Sequence, residues 1–327
     1  MKVCYIFREK ERKAHSIEHL FDTISLEAEQ QGVEVQNWYR PLSTFKAIKE
    51  LRKLKADIYH ITGDCYFLAL FLPWSKTLMT IHDIGMYKNH PKTIKRRVFV
   101  WLSFILPMKV LKFSTAISEL TKRDLVQILG VDEKKIEVVP NPLVFPLTHT
   151  PKAFNTGKPT ILQIGSGPHK NLEGLVAAVQ NVNCKLDIVG KPSQELIRKM
   201  QQNNIEYTIS SHISDEEIME KYKLCDIVYF ASHSEGFGLP ILEAQAVGRV
   251  VITSDMEPMS SVCGGGGVLV NPKLPSSIQQ GIERVISDEN YRMQLIETGL
   301  INVDKYSVKE ITKEYLSLYN YYFREDV

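Results

Sequence analysis

A short segment with two carboxylates is the part of this sequence best suited to chemistry. Residues 232–249 read SHSEGFGLPILEAQAVGR and hold Glu235 and Glu243 eight positions apart. The glycines between them permit close approach of the backbone to a ligand, and Pro240 suits the start of a helix. Because the N–H groups at a helix start are unpaired and form the positive dipole end, they suit a phosphate. The segment therefore predicts an acid in a loop, an anion site and a second acid nearby.

The residues before this segment place it at the end of a strand. The apolar run Asp226 to Phe230 predicts a buried parallel strand. Glu235 then lies at a carboxyl strand end, where open α/β sheets bind ligands. Glu243 is expected in the first turn of the next helix, where a carboxylate either caps the helix or accepts hydrogen bonds from ligand hydroxyls. Two surface glutamates on a strand-to-helix turn would have the same spacing, so the spacing leaves both interpretations open.

The full segment resembles a known signature. Glu-Gly-Phe-Gly-Leu-Pro, with a glutamate eight positions after the first, is similar to the signature of the retaining glycosyltransferases of family 4, also called glycosyl transferases group 1. The family has the GT-B fold, in which two Rossmann-like α/β domains face a central cleft and the C-terminal helix crosses back to the first domain. The resemblance implies this fold here, and further pieces of it recur in order along almost the whole chain.

A second segment, Gly165 to Asn171 (GSGPHKN), follows a predicted strand and opens a predicted helix. It is a weak dinucleotide fingerprint, because Lys170 stands where the third glycine of G-x-G-x-x-G belongs. Glycine N–H groups and the Lys170 ammonium suit a diphosphate, although a helix-start turn with a surface lysine would look the same. The segment resembles the family's phosphate loop. Many members carry arginine where Ser166 stands, which implies that phosphate binding here depends more on Lys170 and the backbone.

His82 and Asp83 follow a predicted strand, Thr77 to Ile81, in the first half of the chain. A histidine at a strand end is more often structural than functional. In the family a histidine at this place faces the transferred sugar. The resemblance implies that role for His82, with Asp83 orienting the loop or the imidazole.

The resemblance also implies roles for the other site residues. Glu235 would contact the donor sugar, and Glu243 would accept hydrogen bonds from the ribose hydroxyls. Charge on the departing diphosphate would be stabilised by Lys170 and the loop amides, so the implied catalytic residues are His82, Glu235 and Lys170. The family transfers the sugar with retained configuration, by front-face attack in which the donor phosphate takes the acceptor proton. The implied nucleotide-sugar contacts are Gly165, Ser166, Gly167, Lys170, Gly190, Lys191, Ile213, Gly236, Phe237, Gly238, Leu239 and Glu243.

The sequence offers no obvious metal site. No Asp-x-Asp motif occurs, and the nearest approach, Asp255-Met256-Glu257, has no evident metal partners. Lysine, amides and helix ends would hold the diphosphate instead. We therefore predict metal independence and no cofactor, with the nucleotide diphosphate sugar as donor substrate.

Composition is that of a soluble globular protein of two domains. The chain has 327 residues, of which 44% are hydrophobic and 24% charged, and its net charge of +2 excludes strong bulk attraction to nucleic acid. Five scattered cysteines without paired spacing indicate a reducing compartment. No signal-peptide core or bilayer-spanning apolar run is evident. The expected location is the cytoplasm, including the inner face of the cell membrane.

Strand-like and helical runs alternate in both halves of the chain, which predicts two parallel α/β sheets. The rhythm breaks at residues 140–159, which hold five prolines. The predicted division is an acceptor domain at 1–148, a linker at 149–158 and a nucleotide-sugar-binding domain at 159–306. A crossing helix at about 307–327 would join the acceptor domain.

Two charged segments have no settled role. The family's first strand usually runs into a glycine-rich loop, but here residues 8–15 (REKERKAH) follow, facing either an anionic acceptor or solvent. Residues 87–112 contain lysines and arginines but no acidic residue, beside the apolar run 98–102. This composition fits either peripheral contact with an anionic membrane or ordinary core packing with solvated basic side chains.

The predicted activity is that of a retaining, metal-independent hexosyltransferase. It would move a sugar from a nucleotide diphosphate donor to a hydroxyl of a growing surface polysaccharide or lipid-linked glycan. One alternative is a GT-B-fold sugar-nucleotide epimerase or phosphorylase, which would need no acceptor or would need free phosphate. Another is a catalytically silent binding subunit, which the altered loop 8–15 favours and the four residues His82, Lys170, Glu235 and Glu243 oppose.

Overall fold

The computed structural model describes residues 1–9, 16–85 and 93–323, without the side chains of Ser16 and Arg96. These residues form two compact units. The first contains residues 1–144 and the chain from Ser307 onward, and the second contains 145–306. The segment 149–158 belongs to the second unit. The charged segments 8–15 and 87–112 are each described only in part.

The first unit is built on a parallel sheet, with six strands among the described residues in the order β2-β1-β3-β4-β5-β6. Continuous apolar runs form its centre, so β1 is buried on both faces, as parallel sheets require. The three-residue β5 was not predicted. The strands are β1 Lys2–Phe7, β2 Glu34–Tyr39, β3 Ile58–Ile61, β4 Thr77–Ile81, β5 Ser114–Ala116 and β6 Ile136–Val138.

Helices cover both faces of this sheet. Ser118 caps the helix Glu119–Leu129 by accepting from the N–H of Thr121, and Gly130 ends this helix with a φ of +65°. Helix α1 packs on one face, while α2, the 3₁₀ segment 66–71, α4 and α5 pack on the other. The helices are α1 Ser16–Gln30, α2 Thr44–Leu51, α3 Ile94–Val100, which continues through a π-helical turn into α4 Leu106–Val110, and α5 Glu119–Leu129.

The second unit repeats the architecture, with six described strands in the order β12-β11-β10-β7-β8-β9. The strands are β7 Thr160–Ile164, β8 Lys185–Val189, β9 Glu206–Ser210, β10 Ile227–Phe230, β11 Val250–Ser254 and β12 Val268–Val270. The helices are α6 Leu172–Ala178, α7 Gln194–Gln202, α8 Asp215–Leu224, α9 Leu239–Ala246, α10 Met259–Cys263, α11 Pro275–Ser287 and α12 Glu289–Val303. Because β10, β7, β8 and β9 are parallel neighbours, the loops after them meet at one edge.

The last helix, α13 Val308–Phe323, returns to the first unit and packs beside α1. It buries Ile311, Tyr315 and Tyr319 against the sheet. The Tyr319 hydroxyl lies 2.6 Å from Nδ1 of His60 on β3. Burial lowers the pKa of His60 to about 3, so this histidine is a neutral core residue.

Candidate active site

The loop after β7 is shaped around the side chain of Lys170. Gly165 has a φ of +90°, and a Cβ there would lie 3.1 Å from Cγ of Lys170, so only glycine fits. The side-chain amide of Gln163 donates to the carbonyls of Gly165 and Lys170, at 3.1 Å each. The loop passes through a 3₁₀ turn, Pro168–Lys170, before α6 begins. As a result, the side chain of Lys170 packs against Gly165 at the start of the same loop.

Asn171 fastens this loop to the neighbouring strand β10. Its backbone is left-handed, with a φ of +57°, which asparagine tolerates better than most residues. Its side-chain amide donates to the carbonyl of Ala231 at 3.0 Å and lies 3.1 Å from the hydroxyl of Tyr229. A third oxygen, of Pro272, lies 2.8 Å away. This anchor was not identified from the sequence, because a lone asparagine at a helix start gives no distinct signal.

Lys170 and Glu235 are 65 positions apart in the sequence and were predicted to share a site. In the structure their side chains are in contact. The Lys170 ammonium lies 2.8 Å from Oε1 of Glu235. It also lies 4.8 Å from the ring centroid of Phe230, within range of a cation–π contact. Both side chains are mostly buried, with exposures of 21% and 14%. A cation and a carboxylate are thus fixed together at the carboxyl edge of the second sheet.

Ser166, Gly190 and Lys191 also come together. Oγ of Ser166 accepts from the N–H of Lys191 at 2.7 Å. Gly190 has a φ of +152°, and a Cβ there would lie 2.7 Å from Oγ of Ser166. Among the described residues no acceptor takes the hydroxyl hydrogen of the partly exposed Ser166, so it can donate to solvent or to a ligand.

The segment Gly236 to Leu239 offers its backbone rather than its side chains. The ring of Phe237 is buried and lies edge-on to Tyr306, with centroids 6.0 Å apart, so it anchors the loop. Gly238 has a φ of +133°, which favours glycine. Helix α9 begins at Leu239 with Pro240 in its first turn, as predicted.

Glu243 lies one residue further into α9 than predicted, because the helix begins at Leu239 and not at Pro240. It is the fifth residue of α9, so it is in the second turn and does not cap the helix. The correction follows from the start of α9 at Leu239. Its carboxylate is buried and accepts a short hydrogen bond from the Tyr222 hydroxyl. Burial raises the pKa of Glu243 to about 7, with a smaller contribution from Asp215.

The remaining predicted contacts come from the same edge. Ile213 is half-buried in the loop between β9 and α8. A capping box between Ser214 and Glu217 fixes the start of α8. Glu257, of the acidic pair Asp255 and Glu257, accepts hydrogen bonds from Ser260 and Ser261 at 2.9 and 2.7 Å.

His82 lies in the first unit, at the carboxyl end of β4. Its Nε2 donates to the carbonyl of Thr62 at 2.8 Å, which leaves Nδ1 as the acceptor in the neutral ring. Burial lowers the pKa of His82 and favours this neutral form. Asp83 accepts from the N–H of Gly85 at 2.8 Å and so orders its own loop.

Arg8 differs from both expectations for the charged loop. It is buried and does not face solvent, because it pairs with Glu18 of α1 and with Asp64 at 3.3 Å. Its Nη2 also donates to Oε2 of Glu18 at 3.0 Å, and that hydrogen bond raises the pKa of Arg8. The other basic residues of this loop, Lys10, Arg12, Lys13 and His15, lie outside the described residues.

The basic segment 87–112 has an exposed apolar surface in its described part. Ile94 is 80% exposed and Phe99 68%, whereas Phe104 and Met108 are buried against the sheet. Lys88 and Lys92 lie outside the described residues. Within 1–9, 16–85 and 93–323, no helix combines the length and apolar character needed to cross a bilayer.

The two Rossmann-like units, joined by a helix that returns to the first, define the GT-B fold. Two family profiles match the chain: Glycosyltransferase Family 4 over residues 14–143 and Glycosyl transferases group 1 over residues 145–300. The chain belongs to the group 1, or family 4, glycosyltransferases.

Curated and solved relatives agree with this assignment. The O-antigen chain mannosyltransferase B of Escherichia coli is 24% identical in an alignment of 309 positions that covers 86% of this chain and 78% of that protein. The O-antigen chain mannosyltransferase RfbU of Salmonella typhimurium is 26% identical over 63% of this chain and 60% of its own length. Anabaena Alr3699/HepE, solved with UDP and glucose, has a TM-score of 0.76 at 16% identity, with 98% of this chain and 100% of that chain covered.

Proposed function

We propose that this glycosyltransferase moves a hexose from a nucleotide diphosphate sugar to a hydroxyl of a surface polysaccharide or lipid-linked glycan, with retention of configuration. The observation that carries the proposal is the meeting of Lys170, Glu235 and the glycine turns at one sheet edge. The O-antigen mannosyltransferase relatives support a polysaccharide acceptor. The solved UDP complex of a structural neighbour supports a nucleotide donor.

The diphosphate would lie between the loop after β7 and the start of α9. Donors available there are the N–H groups of Ser166 and Gly167, the Ser166 hydroxyl and the Lys170 ammonium, whereas the N–H of Gly165 donates to the carbonyl of Val189 at 2.8 Å. The start of α9 adds the N–H groups at Gly238 and Leu239 and the positive end of the helix dipole. These groups supply the charge that a diphosphate needs, so we propose metal independence and no cofactor.

Glu235 of the second unit would hold the sugar. Lys170 fixes the orientation of the Glu235 carboxylate, which suits it to accept from sugar hydroxyls. In the first unit, the neutral ring of His82 has an acceptor nitrogen at Nδ1 that suits a hydroxyl. The buried carboxylate of Glu243 would accept from the ribose hydroxyls. Gly190, Lys191, Ile213 and Phe237 would line or support the nucleotide end of the site.

The chemical step needs no side-chain nucleophile. The acceptor oxygen forms its bond to the anomeric carbon on the face from which the bond to the donor phosphate breaks. The proton of the acceptor hydroxyl passes to an oxygen of the departing donor phosphate, and the nucleoside diphosphate leaves. Lys170 and the loop amides stabilise the negative charge that develops on the diphosphate. Electrostatic stabilisation of this kind is usually the largest single contribution to catalysis.

We assign the nucleotide sugar to the second unit and the acceptor to the first, in the cytoplasm. The face of the first unit that carries α2 and α3 would contact an anionic membrane peripherally through residues 87–112. Exposed apolar side chains on this face include Phe45, Phe99 and Trp101. Residues 93–112 add basic side chains and no acid, and each basic residue near lipid contributes about 1 kcal/mol.

Membrane contact is tested with vesicles of anionic and of neutral lipid. We expect co-sedimentation with the anionic vesicles, a blue shift of tryptophan fluorescence, and at least about a 30-fold loss of binding in F99S/W101S, since burial of even one large apolar side chain contributes roughly 2 kcal/mol. Leu26→Ser is the control, because Leu26 is 59% exposed on the opposite face. Equal binding to neutral vesicles, or equal loss in the control, would remove the membrane proposal.

Donor binding is tested by thermal unfolding with UDP, GDP, ADP, CMP and their sugars, with and without EDTA. We expect stabilisation by one nucleoside diphosphate and its sugar, independent of EDTA and lost in Glu243→Ala. An epimerase would instead convert the donor without an acceptor, and a phosphorylase would need phosphate. No stabilisation by any nucleotide would favour a silent binding subunit.

A further inference from the structure

The hydroxyl of Tyr222 is hydrogen-bonded to a predicted site residue in the protein interior. Tyr222 lies in α8, and its side chain has no solvent exposure. Its hydroxyl donates to Oε2 of Glu243 in α9. Burial raises the pKa of Tyr222 well above its ordinary value, so the hydroxyl keeps its hydrogen and remains a donor. The contact therefore joins the two helices through one fixed hydrogen bond.

The Glu243 carboxylate has more acceptor capacity than the protein uses. An ionised carboxylate has about four lone-pair positions, and buried ones are normally filled. Among the described residues only Tyr222 donates to this side chain, and it uses one oxygen. Glu243 is 92% buried, yet its Oε1 accepts from no described residue and is not among the fully buried side-chain atoms, so this oxygen is open to donors from solvent or from a ligand.

We infer that Tyr222 is a positioning residue for the donor site: it fixes Oε2 of Glu243 and thereby leaves Oε1 oriented to accept from the ribose hydroxyls of a nucleotide. The inference rests on the proposed function, because it takes the ligand of Glu243 to be a ribose. Tyr222 itself touches no substrate. Its effect passes through the orientation and the charge of the Glu243 carboxylate.

The charge of Glu243 gives this role a pH signature. Burial raises the pKa of Glu243 to about 7, Asp215 of α8 acts in the same direction, and Tyr222 and Lys170 act against it. A ribose diol supplies two donors, so the ionised form binds it better than the protonated form. Affinity should fall as pH falls through about 7. Without the Tyr222 hydroxyl the pKa should rise further, and the loss of affinity should occur at higher pH.

The experiment is calorimetric titration between pH 6 and 9 with the nucleotide sugar that stabilises the protein best. A nucleotide sugar is used because its diphosphate does not titrate in this range. The proteins are wild type, Y222F, E243Q and, as a control, Y207F, which removes a half-exposed hydroxyl on β9. The 2′-deoxy form of the same ligand is titrated in parallel. Y222M is a second hydroxyl-free replacement should Y222F unfold.

We expect Y222F to bind about tenfold more weakly at pH 7, to recover affinity toward pH 9, and to discriminate less than wild type against the 2′-deoxy ligand. E243Q should lose both the pH dependence and the discrimination, and Y207F should match wild type. A wild-type pH profile and discrimination in Y222F, with E243Q impaired, would overturn the role of Tyr222 alone. If E243Q also bound normally, the ribose assignment in the proposed function would fail with it.

Discussion

The carboxyl edges of the two sheets are built on the same strand arrangement but hold their charges differently. In the second unit Lys170 pairs with Glu235, and both remain partly exposed. In the first unit Arg8 is buried between Glu18 and Asp64. The first pair can exchange partners with a ligand, whereas the second is enclosed by the protein. Charge at a sheet edge therefore indicates a site only when the side chains keep access to solvent.

The largest effect should follow from Lys170→Met. This change removes the cation that pairs with Glu235 and faces the proposed diphosphate. We expect the rate of sugar transfer to fall by about 10³-fold, as when a group that stabilises developing charge is removed. Lys158→Met, at a lysine paired with Glu206 on an exposed surface, should stay near wild type. Equal rates in the two variants would remove the catalytic role of Lys170.

Arg8→Met should mainly affect stability. It leaves the buried carboxylate of Glu18 without its guanidinium partner, which typically costs about 3 kcal/mol. Urea unfolding should show this loss, while nucleotide affinity of the folded variant stays within about twofold of wild type. Arg123→Met, at an exposed position of α5, should change stability by less than about 0.5 kcal/mol. A large loss of nucleotide affinity in Arg8→Met would show that the two edges do not differ as described.

Glu243→Gln should change how stability depends on pH. Because the folded protein holds the Glu243 proton with a pKa of about 7 against an ordinary 4.5, the stability from this group is complete below pH 4.5 and is lost as pH rises through 7. Between pH 5 and 8 the unfolding free energy of wild type should fall by about 2.5 kcal/mol relative to Glu243→Gln. The lowered pKa of His60 makes stability rise with pH, but this contribution is the same in wild type and in Glu243→Gln. Parallel pH curves from urea unfolding would contradict the raised pKa.

Gly190→Ala should have a smaller effect that is local to the second edge. The new Cβ would meet Oγ of Ser166 at 2.7 Å in a left-handed backbone, so about 2 kcal/mol of stability and part of the nucleotide affinity should be lost. Gly157→Ala is the control, since its Cβ would lie 3.6 Å from the nearest atom. Thermal unfolding and nucleotide titration of both variants measure the difference. If Gly190→Ala matched wild type in both measurements, Ser166 and the loop around it would have to move aside without cost.

Much of the second edge could be predicted because its turns demand particular residues. Gly165 and Gly190 occupy backbone conformations that other residues avoid, and such demands are visible in a sequence. Glu243 was placed one residue too early in the helix, since α9 begins at Leu239 and Pro240 is its second residue. Tyr222 was missed, because a tyrosine in an amphipathic helix is indistinguishable from an ordinary core residue until its hydroxyl partner is known.

Two features of the first unit could not be predicted from the sequence. The strand Ser114–Ala116 has three small residues, too few for a periodicity, and is held by pairing with its neighbours. Arg8 belongs to a run of charges that predicts a solvated or ligand-facing loop. Its burial depends on Glu18 and Asp64, which lie 10 and 56 positions away. Contacts of that kind are set by the fold and leave no local pattern.

The most direct test of the proposed activity is proton NMR of donor turnover in EDTA. The ligand is the nucleotide sugar that stabilises the protein best, with a glycan or lipid-linked acceptor preparation present or withheld. We predict an acceptor-dependent product with the anomeric configuration of the donor, formed by wild type and absent with Lys170→Met. An inverted configuration, a new sugar nucleotide formed without acceptor, or a glycosyl phosphate formed only with added phosphate would contradict retaining transfer.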